Sequence, residues 1–427
     1  MKRSGEPPAS VTSMTINGIA LLVALLVSWW LLGSGASVSG LSAVLMIAAS
    51  YVLPIVVLEA IWLEPARLRM RPPRPTSPNV GRVAVKLLGF AVTLWLIVGV
   101  YSLFPEYRGA FYARYYAALR AVAPYWLAVS VPYFFWMDRR SGGERDGYWH
   151  MGELVLLRWR NVDRAILGQY LLGWIVKLFF LPLMFTYLLG KIQYFRDYHF
   201  ELVFTSFREF YDFAFDFLFY IDLLIAFVGY LCTFKATDSH IRSTEPTLLG
   251  WAVAIMCYQP FWSFFSSHYI DYQTGGSGWG KWLADYTAVY VVWGSCILAL
   301  LAIYVWASLA FGIRFSNLTH RGILTNGPYR YCKHPAYVSK CLSWWLISMP
   351  FMVTTTADES LRHCLLLLLL NVIYLLRART EERHLAQDED YCAYARYIEE
   401  KGLLRKLGQW LPIMKFSPGR LFNVAHR

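Results

Sequence analysis

"NGPYRYCKHPAY" (Asn326 to Tyr337) is a dense polar stretch caught between two long apolar runs. Its tyrosines, Arg330, Lys333 and His334 sit where one run ends, and Pro335 stands where the next begins. Runs of that kind recur along the whole chain. At 1.5 Å rise per residue, about twenty apolar residues cross a ~30 Å hydrocarbon layer. Applied throughout, this criterion predicts about ten spans, near 16–34, 41–63, 83–104, 121–137, 165–190, 213–234, 247–267, 287–312, 337–356 and 361–378. The expected fold class is all-α, a polytopic helical membrane protein, because a helix satisfies its own backbone within lipid.

Composition points the same way. Of 427 residues, 57% are hydrophobic, 17% aromatic and only 16% charged. A soluble domain carries roughly 25% charged residues. The 18 tryptophans, 29 tyrosines and 27 phenylalanines fit aromatic belts at bilayer interfaces. The net charge of +12 gathers in a few short loops. Such clusters orient spans and meet anionic lipid headgroups, so no nucleic-acid partner is expected. Seven scattered cysteines form no CxxC pair and have no histidine at zinc spacing, so neither a disulfide framework nor a metal site is expected.

The loops set an orientation. The stretch Arg67 to Arg82 is basic and proline-rich, and Asp138 to Arg164 carries six arginines. A third loop holds Lys235, His240 and Arg242. With Lys2 and Arg3 before a first span that stays uncleaved, all three loops fall on the cytoplasmic side. Both termini and the Asn326–Tyr337 stretch then face the cytoplasm too. The segment 1–286 reads as an N-terminal transmembrane region of unknown role, and 287–427 as a C-terminal module with a cytoplasmic tail.

A second polar cluster, "RTEERHLAQDEDYCAYARY" (Arg379 to Tyr397), follows the last apolar run. The two clusters flank a helical hairpin. His334 stands just before a helix start beside Arg330 and Lys333, an arrangement that suits an anion. Arg377 and Glu381, four apart, are expected to pair on one helix face. Glu382 would then face a ligand, with Asn371 and Tyr374 lining a polar path one to two turns deeper.

These pieces together resemble the isoprenylcysteine carboxyl methyltransferase and phospholipid methyltransferase superfamily. The resemblance rests on Gly327-Pro328-Tyr329, then Lys333-His334-Pro335-Ala336-Tyr337, a hairpin, Arg379-Thr380-Glu381-Glu382, and Tyr391 with Tyr394. It runs from Leu318 to Gly402. Lys333 stands where the family usually has arginine, which keeps the charge and loses the bidentate fork. The resemblance implies S-adenosylmethionine as methyl donor and a lipidic or prenylated acceptor. It implies cofactor contacts from Tyr329, Lys333, His334, Tyr337, Glu381 and Glu382, with Arg330 and Arg379 as the catalytic residues, and no metal. An acceptor carboxylate is already ionised at neutral pH and needs no base.

Two other readings compete. One is a sterol-reductase-like enzyme with a nicotinamide cofactor; the other is a transport or lipid-binding protein whose C-terminal module is a relic. Within the N-terminal region, Lys177, Asp216 and Asp222 are ionisable residues inside spans. Lys177 and Asp222 fall at comparable depths on consecutive helices, which suits a structural ion pair. His240 and Glu245 lie on a loop that could cover a cofactor mouth.

Overall fold

A computed structural model of the chain describes residues 7–33, 38–63, 77–273, 278–352, 356–405 and 416. Lys2, Arg3, most of the basic loop from Arg67 and most of the basic tail lie outside the described residues. The protein is helical almost throughout. Among the described residues, seven helices are long and apolar enough to cross a membrane: α1 (Met14–Gly33), α2 (Gly40–Trp62), α3 (Val80–Leu103), α6 (Arg164–Arg196), α7 (Phe207–Leu231), α11 (Thr287–Ala310) and α13 (Ala357–Leu385).

The other three expected spans are helical but differ in kind. Residues 121–137 lie inside α4 (Ala110–Arg140), a long helix interrupted by Pro124 and Pro132. Its arginines and tyrosines keep it below the hydropathy of the seven. The stretch 247–267 breaks at Pro260 into α8 (Leu248–Ile255) and α9 (Phe261–His268), each too short to span. The run after Pro335 forms only the 14-residue α12 (Pro335–Ser348). At 1.5 Å per residue that is roughly 21 Å, short of a full crossing.

The helix ends follow local chemistry. Pro335 occupies the first turn of α12, where its missing N–H costs nothing. Thr356 caps α13 by accepting from the Glu359 amide, with Asp358 and Glu359 in the first turn and Arg383 and His384 in the last. A short helix, α5 (Gly147–Val155), forms within the arginine-rich loop, and another, α10 (Gly278–Trp282), precedes α11.

α1, α2, α6 and α7 share the main core, built around Ile47, Tyr51, Phe180, Leu188, Leu224 and Ile225. The segments before and after residue 287 are stitched together at the end of the bundle that carries the basic loops. Thr12 Oγ1 donates to the Ala310 carbonyl at 2.7 Å and Asn17 Nδ2 to that of Leu309 at 2.8 Å. Buried Arg314 forms a fork with Glu59 of α2 at 2.7 and 2.9 Å. Buried Arg321 donates to the carbonyls of Gly229 (2.7 Å), Phe315 (3.0 Å) and Ile313 (3.1 Å), and also to those of Cys232 and Ser239. Two short strands, β1 (Ser243–Thr244) and β2 (Thr319–His320), pair antiparallel with Ser243 opposite His320. This ladder brings the loop before α8 against the loop after α11.

Candidate active site

The cavity with the polar lining opens beneath that ladder. It is a narrow cavity of about 100 Å³ between the α11–α12 loops, α8 and the C-terminal half of α13. Its walls include Tyr329, His334, Tyr337, Lys340, Tyr374, Arg377, Glu381 and His384, with Glu245, Gly250 and Tyr258 contributed from before residue 287.

The adjacent carboxylates of α13 have different surroundings. Glu382 is buried and held by three side chains, through an ion pair with Lys333 and hydrogen bonds with His334 and Arg379. Lys333 Nζ lies 2.7 Å and His334 Nε2 3.1 Å from Oε1, and Arg379 Nη1 lies 3.0 Å from Oε2. Glu381 borders the cavity and accepts from the Tyr337 hydroxyl at 2.9 Å. The expected Arg377–Glu381 pair is therefore replaced, and with it the expectation that Glu382 faces a ligand. Arg377 instead donates to Asn317 Oδ1 at 3.1 Å. Its guanidinium carbon sits 5.1 to 5.8 Å from the ring centres of Tyr374, Tyr337 and Tyr258. Tyrosine faces at that range attract a cation.

Of the residues named from sequence, Tyr329, His334, Tyr337 and Glu381 line the cavity. Lys333, Arg379 and Glu382 form the clamp behind it. Arg330 closes a short 3-10 turn with its side chain exposed, and it borders neither cavity nor clamp. Tyr394 donates to the Tyr329 carbonyl at 2.7 Å, so the helix α14 (Glu389–Lys401) buttresses the Gly-Pro-Tyr turn. Burial pushes the Tyr329 phenol well above its ordinary range, helped by nearby Glu381, so it stays a neutral hydroxyl.

Sequence reasoning passed over Arg377 as a cavity residue, and with it Asn317, Tyr258 and Lys340. Asn317 links two tyrosines to this arginine: its Nδ2 donates to the hydroxyls of Tyr230 (2.7 Å) and Tyr258 (2.9 Å). Glu245 is buried beside the cavity and pairs with Arg383 at 3.1 Å, while its Oε2 has no hydrogen-bond partner among the described residues. Gly250 leaves room for it, since a Cβ there would lie 2.4 Å from Glu245 Cγ. His240 lines a different cavity. Asp222 does not meet Lys177: it accepts from Tyr304 (2.7 Å) and Ser308 (2.6 Å) of α11, whose side chains line the cavity. Asp216 pairs with Lys191.

The protein is thus an integral membrane protein whose C-terminal hairpin carries a mixed-charge, tyrosine-walled cavity at one end of the bundle. Residues 288–387 match the family model of the isoprenylcysteine carboxyl methyltransferase (ICMT) family. The matched segment holds α11, the Gly-Pro-Tyr turn, α12 and α13, and stops before Tyr391 and Tyr394. No curated protein and no solved structure matches the chain.

Proposed function

We propose that this protein is an integral membrane methyltransferase that uses S-adenosylmethionine and methylates the carboxylate of a prenylated or otherwise lipidic acceptor. The observation that carries this reading is the cavity in the family-matched segment, where Arg377 and Glu381, one turn apart, both face inward without pairing to each other.

The donor set fits the cofactor. Arg377 offers a guanidinium fork to an α-carboxylate. Glu381 and the unpartnered Glu245 Oε2 offer acceptors to an ammonium and to ribose hydroxyls. The rings of Tyr258, Tyr337 and Tyr374 already surround one cation and suit a second positive centre. When bound, the cofactor supplies an electrophilic methyl group on a sulfonium. The protein's part is to fix the two reactants in line and keep water out, since alignment carries most of such a rate. Lys333 and Arg379 act one layer back, through Glu382, by fixing the α12–α13 hairpin, and His334 joins that clamp from the cavity wall. The segment 287–427 supplies most of the contacts, and the region before it completes the walls. In this reading the end bearing the basic loops faces the cytoplasm and anionic headgroups, so a soluble cofactor enters there and the acceptor arrives from the bilayer.

The test is equilibrium binding of labelled S-adenosylmethionine to the detergent-purified full-length protein. Wild type should bind saturably. Glu381→Gln and Arg377→Met should each weaken binding tenfold or more, about 1.4 kcal/mol. Binding of a nicotinamide dinucleotide instead would overturn the reading in favour of a reductase. Binding of neither by folded protein would favour transport or lipid binding.

A further inference from the structure

A second cavity lies wholly in the region before residue 287. It has a volume of about 1270 Å³ among α3, α4, α6 and the loops around 144 and 235. Small-molecule sites run roughly 300–1,000 Å³, so this space is large enough for a long chain. Its walls are mostly aliphatic and aromatic. Trp95, Val98 and Val129 line it and are 72%, 58% and 64% exposed, so it opens sideways between α3 and α4, where hydrocarbon would surround the protein.

Arg145 lines its polar end and lies over the Trp149 ring, 4.7 Å from the centre, and Lys177 is the cation that lies deep in the span. At the polar end, Lys86 pairs with Asp138 and Asp146 (3.3 and 3.4 Å), Lys235 with Glu144 (2.8 Å) and Arg242 with Asp238 (3.3 Å). Lys177 lines the cavity from the middle of α6, and among the described residues no carboxylate pairs with it; its ammonium lies 4.3 Å from the centre of the Trp174 ring. A lysine at that depth is costly and calls for a counter-charge. Gly173, one turn earlier, faces Ile241 and Thr244 of the β1 segment. Beyond that segment lies the first cavity. Tyr230 and Ser243 line the second cavity and bond to Asn317 and His384, which line the first.

We infer that this cavity binds a long-chain carboxylic amphiphile from the bilayer, its carboxylate on Lys177 and its hydrocarbon chain along the α3–α4 opening. A single ammonium balances one negative charge. A phosphate monoester would bring a second charge to the apolar stretch around Lys177, away from the cations of the polar end. The site is independent of the methyltransferase reading.

The probe is tritiated oleate, bound at equilibrium to the full-length protein in detergent, with oleyl alcohol and oleoyl lysophosphatidate as competitors. Wild type should bind oleate saturably and at least tenfold more tightly than either competitor. Lys177→Met should weaken oleate tenfold or more and shift oleyl alcohol less than twofold, and Lys177→Arg should restore most of the loss. Val122→Trp, which fills the apolar wall, should weaken oleate and alcohol alike. The inference is overturned by non-saturable uptake, by equal affinity for acid and alcohol, by tighter binding of the lysophosphatidate, or by oleate binding that Lys177→Met leaves unchanged in folded protein. Should Lys177→Met not fold, the wild-type preference among the three amphiphiles and the Val122→Trp loss still decide.

Discussion

Successive side chains on a helix point about 100° apart, and Glu381 and Glu382 show what that does to two identical groups. Glu382 turns into Lys333, Arg379 and His334 and becomes part of the hairpin's frame, while Glu381 turns to the cavity. Glu382→Gln leaves Lys333, His334 and Arg379 around a neutral amide. Breaking a buried ion cluster from one side costs of order 3 kcal/mol. A lowered thermal midpoint in detergent should accompany that change, whereas Glu381→Gln should keep the wild-type midpoint and lose ligand affinity. Equal midpoints for the two variants would contradict the division of roles. A second prediction concerns acid. Burial pushes His320 down to about 4 from its ordinary 6.5, against the opposing pull of Asp388 at 3.4 Å. The unfolded chain therefore takes up a proton at a higher pH than the folded one. The contribution of His320 is complete above about 6.5 and is lost as pH falls toward 4. The midpoint of wild type should drop more steeply over that window than that of His320→Gln; parallel slopes would refute it. The motif residues were legible because they lie close together in sequence. The clamp on Glu382 and the rings around Arg377 were not. Both depend on which face of α13 meets α12 and the loop at Asn317, and residue spacing leaves that choice open.

At the scale of elements, length and hydropathy predicted the seven long apolar helices, since a span is a local property of the chain. They failed where an apolar run does not become one straight helix, as at Pro260 and after Pro335. How helices approach each other was also hidden. α3 and α5 cross backbone to backbone through two glycines. A Cβ on Gly89 would lie 2.1 Å from the Tyr148 carbonyl oxygen, and one on Gly152 would lie 2.1 Å from that of Val85. Small residues permit such contact between helices. Gly89→Ala must push the helices apart, at a cost of about 1–3 kcal/mol or more. Because α3 also walls the second cavity, this variant should lower both thermal stability and oleate binding. Glycine-to-alanine change at Gly99, which has open space around it, should do neither and serves as the comparison.

On the scale of the whole molecule, the division at residue 287 is a division of sequence more than of structure. The family-matched hairpin borrows Glu245, Gly250 and Tyr258 for its cavity wall, and Asp222 receives the hydroxyls of Tyr304 and Ser308 at that cavity's floor. Arg314 is about as buried as any side chain in the protein, and Glu59 of α2 is its carboxylate partner. A chain of residues 287–427 alone would leave Arg314 without its carboxylate and Arg321 without three of its five carbonyl acceptors, and would open one side of the cavity to lipid. Such a fragment should insert in membranes yet bind no S-adenosylmethionine. The full chain carrying Glu59→Gln should show the same defect in milder form, through lowered stability. Co-expressing residues 1–286 with the fragment should restore binding, since helix packing, side-chain hydrogen bonds and a two-residue ladder join the two and none of these needs a covalent link. Binding by the fragment alone at wild-type affinity would mean that the N-terminal helices stand apart from the cofactor site, leaving the second cavity as their own function.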